Sequence, residues 1–263
     1  MRTRTLSSMV WLMRVQILNE LQYRANFFMQ LLRSVLSIGT SLVLISLVFH
    51  QVSNLNGWTR PQLFVFLGVY TLVAGVLQMF VRPTLESLVR DVREGTFDFV
   101  LTKPIDTQFL VSARAVQIWE GVDVLAGAAL IAWGAIQLDG LIQLRDFLVF
   151  VVTLALGLVV IYCFLFCLMS SSFWLVRTEG IGELFESLYQ AGRWPLSIYP
   201  GWLRFALTFV VPIGFSVSLP ASALLSRLSG RALFGELIVA AAFALFTRYF
   251  FRIAVRHYTG ASS

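Results

Sequence analysis

Charged residues are scarce in this chain of 263 residues. They make up 13% of it, whereas hydrophobic residues make up 58%. Soluble globular domains carry about 25% charged residues, so too few charges are present to cover a surface that faces water. No long stretch is polar enough to form a soluble domain. The composition therefore predicts a single membrane domain over residues 1–263.

Residue types that form catalytic and metal sites are also rare, with two His and two Cys in the whole sequence. Cys163 and Cys167 lie four residues apart in an apolar run with no His, Asp or Glu nearby, which favours packing residues over a metal or redox pair. The sequence contains no Gly-x-Ser-x-Gly motif and no GxxxxGK[ST] phosphate loop. We therefore expect no catalytic site, no metal site and no cofactor bound directly by this chain.

The net charge of +6 does not predict a nucleic-acid partner, because the basic residues sit in short segments beside apolar runs. Cytoplasmic loops of membrane proteins carry an excess of Lys and Arg. This pattern predicts a cytoplasmic N-terminus, 82–107 loop and C-terminus, and hence an even number of spans. The basic residues concerned are Arg2, Arg4, Arg14, Arg24, Arg82, Arg90, Arg93, Lys103, Arg252 and Arg256.

Long apolar runs predict membrane-spanning helices, since about 20 apolar residues cross the hydrocarbon core and barrel strands would alternate polar with apolar residues. We predict an all-α polytopic membrane protein. Residues 5–24 form an amphipathic pattern, which predicts a helix lying in the membrane interface or an extension of the first span into water. The six predicted spans are 27–50, 62–81, 109–136, 146–171, 172–193 and 233–254.

The fifth span is ambiguous from hydropathy. Residues 203–219 are more apolar than 172–193, but they contain Pro212 near their middle. The 172–193 stretch carries Glu179, Glu183 and Glu186, each of which costs roughly 2.5–3.5 kcal/mol at mid-membrane. Their spacing places them on one helix face, which suits the lining of a translocation route.

Ionisable and amide side chains also occur inside the other predicted spans. Glu120 and Asp123 are neighbours on one face of the third span. Arg33 lies in the first span and Gln78 in the second. Such groups line a substrate path or form structural pairs, and Arg33 with Glu120 or Asp123 is the structural pair that we consider.

The loop after the second span carries the most specific pattern, LESLVRDVREGTFDFVLTKP over residues 85–104. It resembles the R-x-G-x-x-D-x-x-L-x-x-P loop of ABC-2-type transporter permeases, and in particular a bacterial subfamily of similar length. Two later stretches agree with that resemblance. They are Phe173-Trp174 with Arg177, and the proline-marked segment with Pro195, Pro200, Pro212 and Pro220.

The resemblance implies that residues 82–107 form a coupling loop, whereas the residues alone are also compatible with an ordinary solvated loop. It further implies a fifth span at 172–193 and an external re-entrant element over 195–230, marked by its four prolines. The coupling residues it implies are Glu86, Arg90, Arg93, Glu94, Gly95, Phe97, Asp98 and Pro104.

The function implied by the resemblance is that of a permease in an ATP-driven exporter of the bacterial inner membrane. ATP and Mg would bind a separate ATPase subunit, present in two copies, and a second permease, identical or related, would complete the pore. The implied substrates are hydrophobic, cationic or lipid- and glycan-like molecules. A secondary transporter or channel and a membrane scaffold are the alternatives.

Overall fold

The computed structural model describes residues 24–112, 115–138, 142–174 and 180–258. These residues are helical almost throughout, and the one extended pairing among them is an isolated bridge between Leu55 and Trp58. The predicted all-α membrane fold is therefore confirmed. The predicted interfacial helix over 5–24 falls outside the described residues, except for its last residue.

Ten helices are distinguished in the described residues, and five of them are long and apolar enough to cross a bilayer. In lipid a helix satisfies its own backbone N–H and C=O groups, so these apolar runs are stable only as helices. In chain order the helices are α1 (Arg24–Gln51), α2 (Arg60–Glu94), α3 (Asp98–Leu101), α4 (Thr107–Ser112), α5 (Ile118–Ile136), α6 (Leu144–Phe173), α7 (Ile181–Ala191), α8 (Gly201–Val210), α9 (Gly214–Leu224) and α10 (Gly230–Arg256). The five long ones are α1, α2, α5, α6 and α10.

Helix α2 is the centre of the bundle. About 67% of its most apolar window is buried inside the molecule, compared with 17% for α1 and 22% for α10. Residues 95–106, which follow α2, are called the connector. The end of the bundle that carries the connector is called the connector end, and the opposite end is the distal end.

Glycines allow α2 and α5 to pack with their backbones in close approach. A Cβ atom added to Gly127 would lie 2.5 Å from the backbone nitrogen of Leu72, and one added to Gly68 would lie 2.7 Å from that of Ile131. In lipid the hydrophobic effect does not drive helices together, so they associate through van der Waals contact. Small residues at such positions allow the close approach that this contact needs. Close backbone approach therefore holds α2 and α5 together.

The third span begins at Ile118, not at residue 109 as the hydropathy pattern predicted. Gln117 has an extended backbone, with φ −107° and ψ 96°, and its N–H donates to the Met79 carbonyl at 2.9 Å. Met79 lies in a π-helical turn of α2, Leu77–Val81, where widened turns leave carbonyls free for outside partners. Residues 107–112 form the separate helix α4 instead.

The region of the predicted fifth span contains α7, whose 11 residues rise about 16 Å, roughly half the hydrocarbon core. Helices α8 and α9 together have the length and composition of one span, but they bend by 90° where they meet. The predicted division into a span over 172–193 and a re-entrant element over 195–230 stays a prediction.

The bend between α8 and α9 contains Pro212 and lies halfway along α6. A Cβ atom added to Gly157 would come within 2.4 Å of the Phe215 carbonyl oxygen, so the bend seats directly on the α6 backbone. Both ends of the pair reach the loop between α1 and α2. There the Asn56 amide donates to the Ser197 carbonyl, and Arg227 donates to the Gly57 carbonyl at 2.9 Å.

Candidate functional site

The turn that ends α2 is rigid. Gly95 has φ +71°, a left-handed conformation that glycine adopts without steric cost. The N–H groups of Thr96 and Phe97 both donate to the Asp91 carbonyl, at 2.9 and 3.2 Å. The Thr96 hydroxyl donates to the Asp91 carboxylate at 3.2 Å. The connector therefore leaves α2 in one defined direction.

Phe97, one of the predicted coupling residues, is fully buried, at 0% exposure, so its side chain is not available to a partner. Its ring makes edge-to-face contacts with Phe173 and Tyr258, with centroids 5.2 and 5.3 Å apart. Phe173 ends α6 and Tyr258 follows α10. Phe97 thus anchors the connector in an aromatic socket, because aromatic pairs in this geometry add to the burial free energy.

Phe99, which was not predicted, is the exposed aromatic residue of the connector. It is 72% exposed and stands in the four-residue helix α3, whose Val100 points inward. Phe97 and Val100 are apolar and three residues apart, a spacing that places both on one face of a helix. Phe99 lies off that face, so the same spacing predicts its exposure. Asp98, the first residue of α3, is half-buried, and Pro104 is exposed.

The charged residues predicted for coupling lie on the last turns of α2, on the same side of the membrane as the connector. Their side chains are exposed and are therefore available to a partner. Arg82 donates to one of them, Glu86, at 2.8 Å, which fixes it along the helix. These residues are Glu86, Arg90, Arg93 and Glu94.

A second anchor joins the connector to α10 and was not predicted. Arg248 of α10 donates through Nη1 to Asp106 Oδ1 at 2.8 Å and through Nη2 to Oδ2. Asp106 Oδ1 also accepts from the N–H of Phe109 at 3.1 Å. The hydrogen bond from Arg248 is the main reason that the pKa of Asp106 falls from 3.8 to about 2. A two-bond Arg–carboxylate pair fixes orientation as well as distance.

Glu186 of α7 is bound to α2. It accepts from Gln78 Nε2 at 2.8 Å and from Arg82 Nη1 at 3.2 Å. The three side chains line a cavity of about 40 Å³ whose other walls are mostly apolar. Glu183 is exposed, and Glu179 lies outside the described residues.

A larger cavity, about 380 Å³, opens between α1 and the start of α5. Gln30, buried in α1, donates to Glu120 at 2.7 Å and to Asp123 at 3.2 Å. Arg33 lines the same cavity with an exposed side chain. The sequence analysis considered Arg33 as the partner of the two carboxylates and missed Gln30, because an amide in an apolar run does not indicate which helix it faces.

The four prolines predicted for the re-entrant element mark its breaks in the chain. Pro195 precedes a 3₁₀ turn, Pro200 caps α8, Pro212 lies in the bend, and Pro220 is buried within α9. Trp58 donates through Nε1 to the Ser197 hydroxyl at 3.0 Å. The element is therefore tied to the distal end by specific hydrogen bonds.

Cys163 and Cys167 pack against α10, where the Thr247 hydroxyl lies 3.3 Å from the Cys167 sulfur and donates to the Cys163 carbonyl at 3.2 Å. Within the described ranges, no group of three or more His, Cys, Asp or Glu side chains is placed to hold a metal ion. The candidate site is therefore the connector with its two anchors, together with the two polar cavities.

Comparison with known protein families identifies the chain. The family model described as "ABC-2 family transporter protein" matches residues 35–262, which include the connector, four of the five long helices and α1 from residue 35 onwards. Searches of the curated proteins and of the solved structures each return no significant match. The chain is a multi-pass membrane protein, and it belongs to the ABC-2 family of transporter proteins.

Proposed function

We propose that this chain is the membrane-spanning permease subunit of an ATP-driven exporter in the bacterial inner membrane. The family implies an ABC-type ATPase partner, and two copies of it would bind ATP and Mg. Two permeases, identical or related, would form the complete pore. The observation that carries the proposal is the exposed Phe99 of the connector, which follows the exposed charged side chains on the last turns of α2.

The connector suits docking to a soluble partner. The Phe99 side chain is 72% exposed, whereas Phe97 and Val100 supply the buried contacts of the connector. Interface anchors are commonly aromatic residues enclosed by polar surface. With the N- and C-termini and residues 82–107 on the cytoplasmic side, Phe99 would face the ATPase.

Force applied to the connector would reach three helices. The turn at Gly95 leads to α2, the Phe97 socket to the ends of α6 and α10, and the Asp106–Arg248 pair to α10 again. A stiff segment with several attachments moves its neighbours together rather than bending alone. Closure of the ATPase dimer would then shift α10 against α6.

The two polar cavities are the candidate route for cargo. The larger one combines the Glu120 carboxylate with Arg33 and opens next to α1, and the Gln30 amide that binds Glu120 also binds Asp123. Intramembrane ionisable groups commonly mark substrate paths. The proposed substrates are hydrophobic, cationic or lipid- and glycan-like molecules, and the proposed direction is export.

Phe99→Glu tests the docking role. We expect the wild-type chain, purified from native membranes in mild detergent, to retain a separate chain that hydrolyses ATP. With Phe99→Glu, the amount of ATPase that co-purifies should fall at least ten-fold. Leu144→Glu is the matched control, because Leu144 is similarly exposed, at 73%, but lies at the distal end. Retention of the ATPase by Phe99→Glu, or absence of any ATPase from the wild type, contradicts the proposal.

A further inference from the structure

Glu236 of α10 is fully buried, at 0% exposure. Neither of its carboxylate oxygens makes a hydrogen bond within the described part of the chain. It lies six residues after the start of α10, inside a helix long and apolar enough to span the membrane. None of the proposed steps of coupling or cargo binding uses it.

The surroundings of Glu236 are apolar. One turn further along the same face of α10, Ala240 packs with Val160 of α6 and Phe215 of α9. The Thr247 hydroxyl of α10 donates to the Cys163 carbonyl of α6, so residues at the same level of these two helices differ by 84 in number. By this offset, Glu236 lies level with Val152 and Thr153 of α6. The Thr153 hydroxyl already donates to carbonyls of its own helix.

The ionisable groups on the neighbouring elements are engaged elsewhere or lie at other levels. Asp146, at the distal end of α6, accepts from Ser226 at 2.5 Å, and Arg227, after α9, donates to Gly57 and Gln62. None of the charged or titratable groups on these elements hydrogen-bonds to the Glu236 carboxylate. Besides those two, they are Arg145, Tyr162, Cys163 and Cys167 on α6, and Arg231, Arg248, Tyr249, Arg252 and Arg256 on α10.

An ionised carboxylate in such a place is strongly disfavoured. Removing it from water costs several kcal/mol unless a cation or several hydrogen bonds compensate, and Glu236 has neither. The neutral acid avoids that cost, because burial favours the uncharged form of a carboxyl group.

We propose that Glu236 is an intramembrane proton-binding site. It holds a proton, as a neutral carboxylic acid, while α10 packs against α6 and α9. When that contact opens to water, the O–H bond breaks, the proton passes to water and the carboxylate remains. Proton binding and closure of this contact therefore stabilise each other, since a ligand favours the state that binds it better.

Infrared spectroscopy of the full chain in lipid nanodiscs tests the protonation state directly. We expect the carbonyl band of a protonated carboxylic acid at neutral pH, and we expect Glu236→Gln to remove its intensity. Glu183→Gln is the control, because Glu183 is exposed. Spectra in which Glu236→Gln leaves this region unchanged overturn the proposal.

Thermal unfolding in detergent gives an independent measurement. A carboxyl group protonated only in the folded state weakens folding as pH rises, because the unfolded chain then gives up the proton more readily. Glu236→Gln should therefore gain stability relative to wild type from acid to neutral pH, and an unchanged difference contradicts the proposal. If Glu236→Gln does not fold, the infrared spectrum of Glu236→Asp takes its place. This spectrum must keep the carbonyl band of a protonated carboxylic acid, and absence of the band contradicts the proposal. Neither measurement needs an ATPase, so both are independent of the proposed function.

Discussion

Individual side chains determine what the connector can do. Phe97 and Phe99 are two residues apart and chemically identical, yet one fills a socket and the other faces water. Asp106 adds a polar anchor next to them through Arg248. The pair is partly open to solvent, with 43% and 37% of the two side chains exposed, so water and salt weaken it.

The Asp106–Arg248 pair predicts a specific pH dependence. Since the pKa of Asp106 is lowered from 3.8 to about 2 in the folded chain, its contribution is present above pH 3.8 and is lost as pH falls through about 2. We expect Asp106→Asn to lower the free energy of unfolding by at most about 1 kcal/mol at neutral pH, given the exposure of the pair. Thermal unfolding of both chains between pH 2 and 5 should show the difference shrinking towards acid. A constant difference would be inconsistent with this pair.

Helices pack here through small residues as much as through large ones. The α2–α5 contact depends on glycines whose hydrogen atoms touch the opposing backbone. Because backbone atoms cannot rotate away as a side chain does, a single methyl group forces the two helices apart.

Gly127→Ala is expected to destabilise the fold by about 1–3 kcal/mol, the range for overpacking a tight contact. Gly235→Ala is the matched control, since a Cβ added at Gly235 meets nothing within 4 Å. Because alanine has a higher helix propensity than glycine, Gly235→Ala should be neutral or slightly stabilising. Unfolding by heat in detergent compares the two variants. Equal melting temperatures would disprove the close approach of α2 and α5.

The long helices were predictable because their apolar runs exceed the bilayer thickness. The start of α5 was not, since nothing in the sequence around Gln117 shows that its N–H is bound by the Met79 carbonyl. Likewise Gln30 and Glu236 are single polar residues in apolar runs, and hydropathy gives no indication of their neighbours. Pairings across 90 or more residues, such as Gln30 with Glu120, depend on tertiary packing.

At the scale of the whole molecule, the connector contacts α10 at the connector end. Helix α10 in turn packs against α6 and α9 further along the bundle. A movement that starts at Asp106 therefore passes through Arg248 before it reaches the bend at Pro212. The link depends on the opposite charges of the two residues and not on which residue carries which charge. Exchanging the two residues therefore tests it.

Asp106→Arg and Arg248→Asp should each reduce an ATP-dependent change in thiol labelling at a cysteine placed at Ser197, with Cys163 and Cys167 replaced by Ala. The double exchange should restore at least half of what is lost, because it recreates the ion pair in reverse. The measurement uses the permease–ATPase complex in liposomes, with the ATPase-free chain as control. Failure of the double exchange to restore labelling would remove this pair from the coupling route.

The length of α2 has a further consequence. Its 35 residues extend about 52 Å, whereas the hydrocarbon core is about 30 Å thick. A straight helix of that length that starts at one face of the hydrocarbon core extends about 20 Å past the other face. A soluble protein that binds the last turns of α2 would therefore make its contacts outside the hydrocarbon core, and mutations in its membrane-facing surface should leave that binding unchanged.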